Sequence, residues 1–344
     1  MPRRKQTEGE KKIDISQMAE DLGVSKTTVS RALSGNGRVS EATRARVVQY
    51  AKEKNYVPNM LARGLVTQQS YNISLVFSRQ FGNLAAPFLR KTVSAVYDIA
   101  TRNDYDVLMT MVGEQETSPM QRLLINRKID GVILARTLER DPLIPMLQKS
   151  GIPFVAIGRP ADQDVISVDH DQVGGCRELV SLLLMKGLHR IALLGGSMLY
   201  TVNQSRLEGY KQAHDRACCK IDESLLFLEL ESDDLRTSAV ELAVQRGADC
   251  ILCMDDQVAQ LALNTLRQLN LRVPQDISVS GYDGIALGRY SNPRLTTIRQ
   301  NSERLAQRGA EILLNCIENG SSAVHEVVPF ELIEDESVAA LPNH

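Results

Sequence analysis

Residues 13–34 read IDISQMAEDLGVSKTTVSRALS, and the spacing inside this stretch decides the reading of the amino-terminal part. Ile15, Met18, Ala19 and Leu22 recur at the interval that places side chains on one face of a helix. Gly23 ends that helix, because glycine enters the left-handed conformation at no steric cost. Val24 fills the corner, and Ser25 stands where a hydroxyl caps the free amides of a following helix. That helix runs Lys26-Thr27-Thr28-Val29-Ser30-Arg31-Ala32-Leu33. Thr28, Val29, Ala32 and Leu33 form its inward face, while Lys26, Thr27, Ser30 and Arg31 point outward and all carry donors. Two short helices joined by a tight turn, the second with a donor-rich outer face, suit insertion into the major groove of DNA. Arg31 and Lys26 match guanine acceptors there, and Thr27 offers a hydroxyl and a methyl. A surface helical hairpin with polar outer residues fits this stretch equally well.

The following residues favour the first reading. A third helix is expected from about Ser40 to Lys54, with Ser40 as cap and Ala42, Val47, Val48 and Ala51 as its packing face. Asn55-Tyr56-Val57-Pro58-Asn59 and Ala62-Arg63-Gly64-Leu65 come next. The runs DISQMAEDLGVSKTTVSRALSGNGRVSEATRARV (14–47) and NYVPNMLARGLVTQQS (55–70) closely resemble the LacI/GalR family of bacterial repressors. The resemblance extends through the whole chain. It implies contacts to DNA from Ser25, Lys26, Thr27, Thr28, Ser30 and Arg31 in the head. It also implies contacts from Asn59, Ala62 and Leu65 in a hinge that pairs across a dimer, with Leu65 wedged into a base step from the minor groove. An isolated helix as short as this hinge, with a glycine inside it, is marginal in water. Residues 58–70 are therefore expected to fold only when two copies meet on DNA.

Charge is divided unevenly along the chain. The net charge is −2, yet residues 1–64 hold 13 Lys and Arg against 7 Asp and Glu, and the remainder holds 27 against 35. A basic head on an acidic body suits a polyanion-binding module joined to something of another kind. Residues 1–12 read as a disordered basic arm, and residues 13–57 as the head. The polar start, MPRRKQTEGEKK, has no apolar core of a secretory signal. No run approaches a membrane span, so a cytoplasmic protein is expected. Of six cysteines, Cys250 and Cys253 have Cys-x-x-Cys spacing, but no second pair or nearby histidine completes a metal site, the five histidines show no ligand spacing, and neither metal nor cofactor is expected. Cys250-Ile-Leu-Cys253 lies in a strand-like run, where residues three apart face opposite sides.

From Asn72 the pattern becomes strand-then-helix. Apolar runs occur at Ile73–Phe77, Asp106–Met111, Gly131–Ala135, Phe154–Ile157, Arg190–Leu194, Cys250–Met254 and Ile277–Ser280. Helical stretches between them are expected at Ala86–Arg102, Met120–Lys128, Val173–Lys186, Arg206–Ala217, Ser238–Arg246 and Gln257–Leu269. Continuous apolar strands alternating with helices mean parallel sheets covered on both faces. The fold class is thus an all-α three-helix DNA-binding head and hinge helix, followed by an α/β body of two doubly wound parallel-sheet lobes. The resemblance implies the same body, like a periplasmic binding protein, with three crossovers near Ser167–Val168, Leu295–Ile298 and Val327–Phe330. The lobes are then 71–168 with 299–328, and 169–298 with 329–341.

Two open α/β sheets side by side place a ligand cleft at the carboxyl ends of their strands. The resemblance makes Arg206 a clamp for ligand hydroxyls, Asp283 a second contact, and Asp255 a third where the family usually has Asn. Asp256 resembles the family's helix-capping aspartate. Arg159, Tyr282 and Phe81 complete the candidate effector set, with Tyr200 a further choice for stacking since the chain has no Trp. Arg79, Arg136, Arg159 and Arg206 all fall near strand ends, which favours a carbohydrate-like effector bearing a carboxylate or phosphate. Partners are double-stranded operator DNA, a small-molecule effector and a second copy of the chain. No leucine heptads follow the body, which favours a dimer over a tetramer. Two other readings are a regulator controlled by a protein partner, as in one branch of the family, and a sugar-acting enzyme. Against the enzyme, the chain has neither a phosphate loop nor a Gly-x-Ser-x-Gly elbow.

Overall fold

The computed structural model describes residues 13–34, 38–54, 56, 64, 67–79, 87–285, 288, 290–320 and 325–339. The chain separates into two units, with the division between Gln69 and Ser70.

The first unit holds helices α1 (Ile15–Leu22), α2 (Lys26–Ser34) and α3 (Glu41–Glu53). Asp14 caps α1 by accepting from the Gln17 amide at 2.8 Å. Gly23 closes it in the left-handed conformation, φ 65°. The Ser25 hydroxyl accepts from the Thr28 amide at 3.1 Å and meets the Thr28 hydroxyl at 2.8 Å. Met18, Ala19, Val29, Ala32, Val47 and Ala51 make one small core. Ala42, expected on the packing face of α3, is exposed. Five residues before Val47 places it more than a third of a turn away, and Tyr50 packs against the core instead. The Tyr50 hydroxyl donates to Asp21, which ties α3 to α1 and holds the Asp21 carboxyl below its usual range.

The second unit is an α/β body. Its strands are β1 (Asn72–Ser78), β2 (Asp106–Val112), β3 (Gly131–Leu134), β4 (Phe154–Ile157), β5 (Ser167–His170), β6 (Ile191–Leu194), β7 (Leu226–Phe227), β8 (Cys250–Cys253), β9 (Ser278–Asp283), β10 (Thr296–Gln300), β11 (His325–Val328) and β12 (Phe330–Ile333). Helices α4 (Pro87–Arg102), α5 (Ser118–Ile125), α6 (Leu143–Ser150), α7 (Gln172–Met185), α8 (Thr201–Arg216), α9 (Asp233–Gln245), α10 (Asp256–Gln268) and α11 (Ser302–Asn319) connect them.

They form two six-stranded sheets, ordered β11-β5-β4-β3-β1-β2 and β12-β10-β9-β8-β6-β7. Pairing is parallel except between β10 and β12. Central strands are buried along their whole length, β3 and β8 among them, because helices cover both faces. Cys250 and Cys253 accordingly enter different cores on opposite faces of the second sheet. Burial pushes both thiols well above their ordinary range.

The chain crosses between sheets after His170, after Gln300 and at Pro329. The first two crossings come a few residues later than the sequence suggested, because β5 and β10 each run through the expected breakpoint. The first lobe is completed late. Leu305, Ala306, Ala310 and Leu313 of α11, together with Val328 of β11, share one core with Ile73, Leu75 and Phe77 of β1.

Candidate functional site

In the head, Lys26, Thr27, Ser30 and Arg31 are exposed along one side of α2, opposite buried Val29 and Ala32. Four donor-bearing side chains thus line one exposed face over a packed core. Ser25 and Thr28 belong to its edge, and their hydroxyls are spent on each other and on the helix cap. Asn59, Ala62 and Leu65 lie outside the described residues. Of the hinge, Gly64 and Thr67 are helical.

In the body, the carboxyl ends of the strands face one another across the cleft. Arg206 on α8 is buried, and each of its three guanidinium nitrogens donates a hydrogen bond. Nε donates to Gln172 Oε1 at 3.1 Å, one terminal nitrogen donates to the Met254 carbonyl, and the other donates to Asp283 Oδ1 at 2.8 Å. Its plane stacks on the Tyr282 ring, 3.9 Å from the centroid. Tyr282 is therefore not an open stacking platform. It is 1% exposed, and its hydroxyl donates to the Gln172 carbonyl at 3.2 Å. Asp283 ends β9 with φ 98°, a conformation that side-chain-bearing residues rarely adopt. Strain of this kind persists where surrounding contacts over-determine it, here the Arg206 ion pair.

Gln172, which the sequence reading passed over, organises this network. Its Oε1 also accepts from Gln300 Nε2 at 2.9 Å, and its Nε2 donates to Asp169 Oδ1 at 3.0 Å. Asp169 and Gln300 end the strands that cross between lobes, so the arginine clamp is wired to two of the three crossovers. Local pattern gave no signal for it, since its partners lie 34 and 128 residues away.

The capping role expected of Asp256 falls to Asp255, and Asp256 is sealed inside the second lobe. Asp255 is the cap of α10, accepting from the Val258 amide at 2.8 Å. Asp256 is 1% exposed and accepts from the Thr297 hydroxyl and the Ile285 amide, each at 2.8 Å. Burial raises the Asp256 carboxyl to about 7, with the Asp283 charge adding to it. Burial and the neighbouring Asp283 charge raise Asp255 as well.

The arginine-rich expectation does not survive intact. Arg136 is sealed inside the first lobe, bidentate to Asp141 at 3.1 and 2.9 Å and donating to the Gly113 carbonyl at 3.0 Å. Arg79 pairs with Glu116 at 2.7 Å and points outward. Arg159 is exposed at the rim. Phe81 lies outside the described residues.

The lobes also touch directly across the cleft. Tyr200 is 7% exposed, and its hydroxyl meets that of Ser78 at 2.8 Å. Beside it, Leu138 and Tyr200 form an antiparallel bridge. The Glu139 amide donates to the Leu199 carbonyl at 2.9 Å, and the Thr201 and Thr137 hydroxyls meet at 2.7 Å. Among the described residues, no three His, Cys, Asp or Glu side chains are grouped to hold a metal, and no helix is long and apolar enough to cross a membrane.

A helix-turn-helix head and a two-lobed body with polar side chains converging on a cleft define a ligand-responsive DNA-binding regulator. Residues 14–59 match the lacI family of bacterial regulatory proteins, and residues 180–338 match a periplasmic binding protein-like domain. The HTH-type transcriptional regulator CelR of Thermobifida fusca is 33% identical over 310 residues, 88% of this chain and 91% of that protein. AglR of Rhizobium meliloti is 30% identical over 96% of each chain. Among solved structures, a CelR–cellobiose complex superposes with TM-score 0.72 at 29% identity, covering 94% of this chain and 99% of the other. The lac repressor dimer bound to operator and the anti-inducer ONPF superposes with TM-score 0.80 at 25% identity, covering 96% and 100%. The chain belongs to the lacI family of transcriptional regulators.

Proposed function

We propose that the protein represses transcription as a homodimer on a pseudo-palindromic operator, under allosteric control by a carbohydrate-like effector in the cleft. A two-fold dimer matches two inverted half-sites. Arg31 and Lys26 read base edges, and the hinge residues Asn59, Ala62 and Leu65 engage the minor groove. The observation that carries the control mechanism is the wiring of Arg206 through Gln172 to Asp169 and Gln300. A ligand that draws Arg206 or Asp283 toward itself alters contacts at two crossovers, and hence the relation between lobes. Coupling of this sort is typically worth about 1–3 kcal/mol. The relatives are regulators, and the cleft residues Arg206, Asp255 and Asp283 act as binding groups in this reading.

Selection of bound sequences from random duplex DNA tests the reading. Enrichment of an inverted repeat, bound by one dimer, is the expected result. Enrichment of a single unrepeated half-site, or of nothing, overturns it.

A further inference from the structure

The cysteines divide by exposure. Cys176, Cys250, Cys253 and Cys316 are buried, whereas Cys218 is exposed and Cys219 is half-buried. Burial pushes the Cys176 thiol up to about 12 and raises Cys250 and Cys253 well above their ordinary range. The thiolate is the reactive form, so these buried thiols are inert. The two thiols that reach solvent are neighbours in the chain.

The backbone shapes this pair. Arg206 lies near the start of α8, and Cys218-Cys219 follow its other end. The Cys218 amide donates to the Asp215 carbonyl at 3.1 Å, and the Cys219 amide donates to the His214 carbonyl at 2.9 Å. Cys218 takes φ 51°, a left-handed place that helices usually give to glycine or asparagine. A straight strand would send consecutive side chains to opposite faces. Here the chain turns at Cys218.

A residue from another element adds an independent observation. His189 stands between α7 and β6, and its amide donates to Asp249 Oδ2 at 2.8 Å. Its Nδ1 is 3.9 Å from Cys219 Sγ, within hydrogen-bond reach for sulfur, while the Ala217 carbonyl lies 3.6 Å from the same Sγ. The carbonyl cannot take up a proton, but the imidazole can. The half-buried thiol thus has a base beside it and a second thiol next in sequence, the arrangement of an oxidisable cysteine with its resolving partner.

We propose that Cys218 and Cys219 form a reversible, hydroperoxide-responsive disulfide site, with His189 as the base. Cys219 passes its proton to His189, and its sulfur attacks one peroxide oxygen. An S–O bond forms, the O–O bond breaks, and the leaving alkoxide takes the proton from His189 to depart as an alcohol. Cys219 is then a sulfenic acid. Cys218 sulfur attacks it, the S–S bond forms, and the hydroxyl leaves with the Cys218 proton as water. Two thiols are oxidised by two electrons, and the hydroperoxide is reduced to alcohol and water. Neighbouring α-carbons lie about 3.8 Å apart, short of the roughly 4.4 Å at which disulfides usually begin. The bond is therefore strained and readily reduced, which suits a switch better than a permanent bridge.

The full chain treated with tert-butyl hydroperoxide at neutral pH tests this by intact mass and peptide mapping. The expected product has lost two hydrogens, carries the link within the peptide containing residues 218–219, forms no covalent dimer and reverts with dithiothreitol. Cys218→Gly, which the left-handed turn accommodates, should stop at a sulfenic acid trapped by dimedone on Cys219. His189→Gln should slow oxidation by about tenfold or more, as loss of a positioned base does. A disulfide between copies, oxidation beginning at a buried cysteine, or one cysteine carried to a sulfonic acid while the other stays alkylatable overturns the proposal. An unchanged rate in His189→Gln overturns the assignment of the base.

Discussion

The hydroxyls of Ser78 and Tyr200 lie 2.8 Å apart, one ending β1 in the first lobe, the other preceding α8 in the second. With the Leu138–Tyr200 bridge and the Thr137–Thr201 contact, they join the lobes on the side of the cleft away from the crossovers.

Tyr200→Phe should lower stability by about 1 kcal/mol, since it leaves the Ser78 hydroxyl unpaired in a buried site. The double variant with Ser78→Ala should lose less than the sum of the two single changes. Chemical denaturation of all four proteins measures this, and strict additivity would remove the pairing.

Replacing Arg206 with methionine should do more than abolish effector binding. It leaves Asp283, Gln172 and the Met254 carbonyl without their buried donor. Loss of one partner from a buried ion pair costs about 3–5 kcal/mol. A melting temperature equal to that of the parent would show that the network does not hold the lobe.

Stability should also report on Asp256. Its carboxyl is raised to about 7 in the folded chain from an ordinary 3.8. The folded state therefore binds the proton more tightly than the unfolded state. The resulting contribution is present below about pH 4 and is lost as pH rises through about 7. Asp256→Asn should flatten the pH dependence of unfolding across that window, and an unchanged slope would assign it to other groups.

Arg31→Ala should cost about 1–3 kcal/mol of operator affinity and relax specificity at one base position. Fluorescence anisotropy against a set of singly substituted operators tests this. Uniform weakening across the set would make Arg31 a phosphate contact instead.

Local periodicity carried most of the fold. The head was legible because Gly23 and Ser25 punctuate two short apolar stripes, and the lobes because buried parallel strands are continuous apolar runs. The strands that cross between lobes were harder to read. β5, β10 and β12 mix polar side chains such as Asp169, Gln300 and Glu331 with apolar ones, since they border the cleft or a sheet edge. The site was legible in part. Arg206 and Asp283 do meet, but their union depends on Gln172, whose partners lie 34 and 128 residues away. Pairings over such distances leave no periodic trace. Arg136 misled for another reason: its partner Asp141 is five residues away, and proximity to a strand end said nothing of that carboxylate closing on it.

The late arrival of α11 bears on how the protein is made. The core of the first lobe stays open until residues 302–319 have been synthesised, by which time all of the second sheet except β12 has been made. The head, closed within residues 13–56, needs nothing downstream for its own core. A nascent chain halted before Ser302 would thus carry a finished head on a body with an uncovered sheet, a state prone to aggregation. Deletions near the carboxyl end should be as damaging to the first lobe as deletions within it.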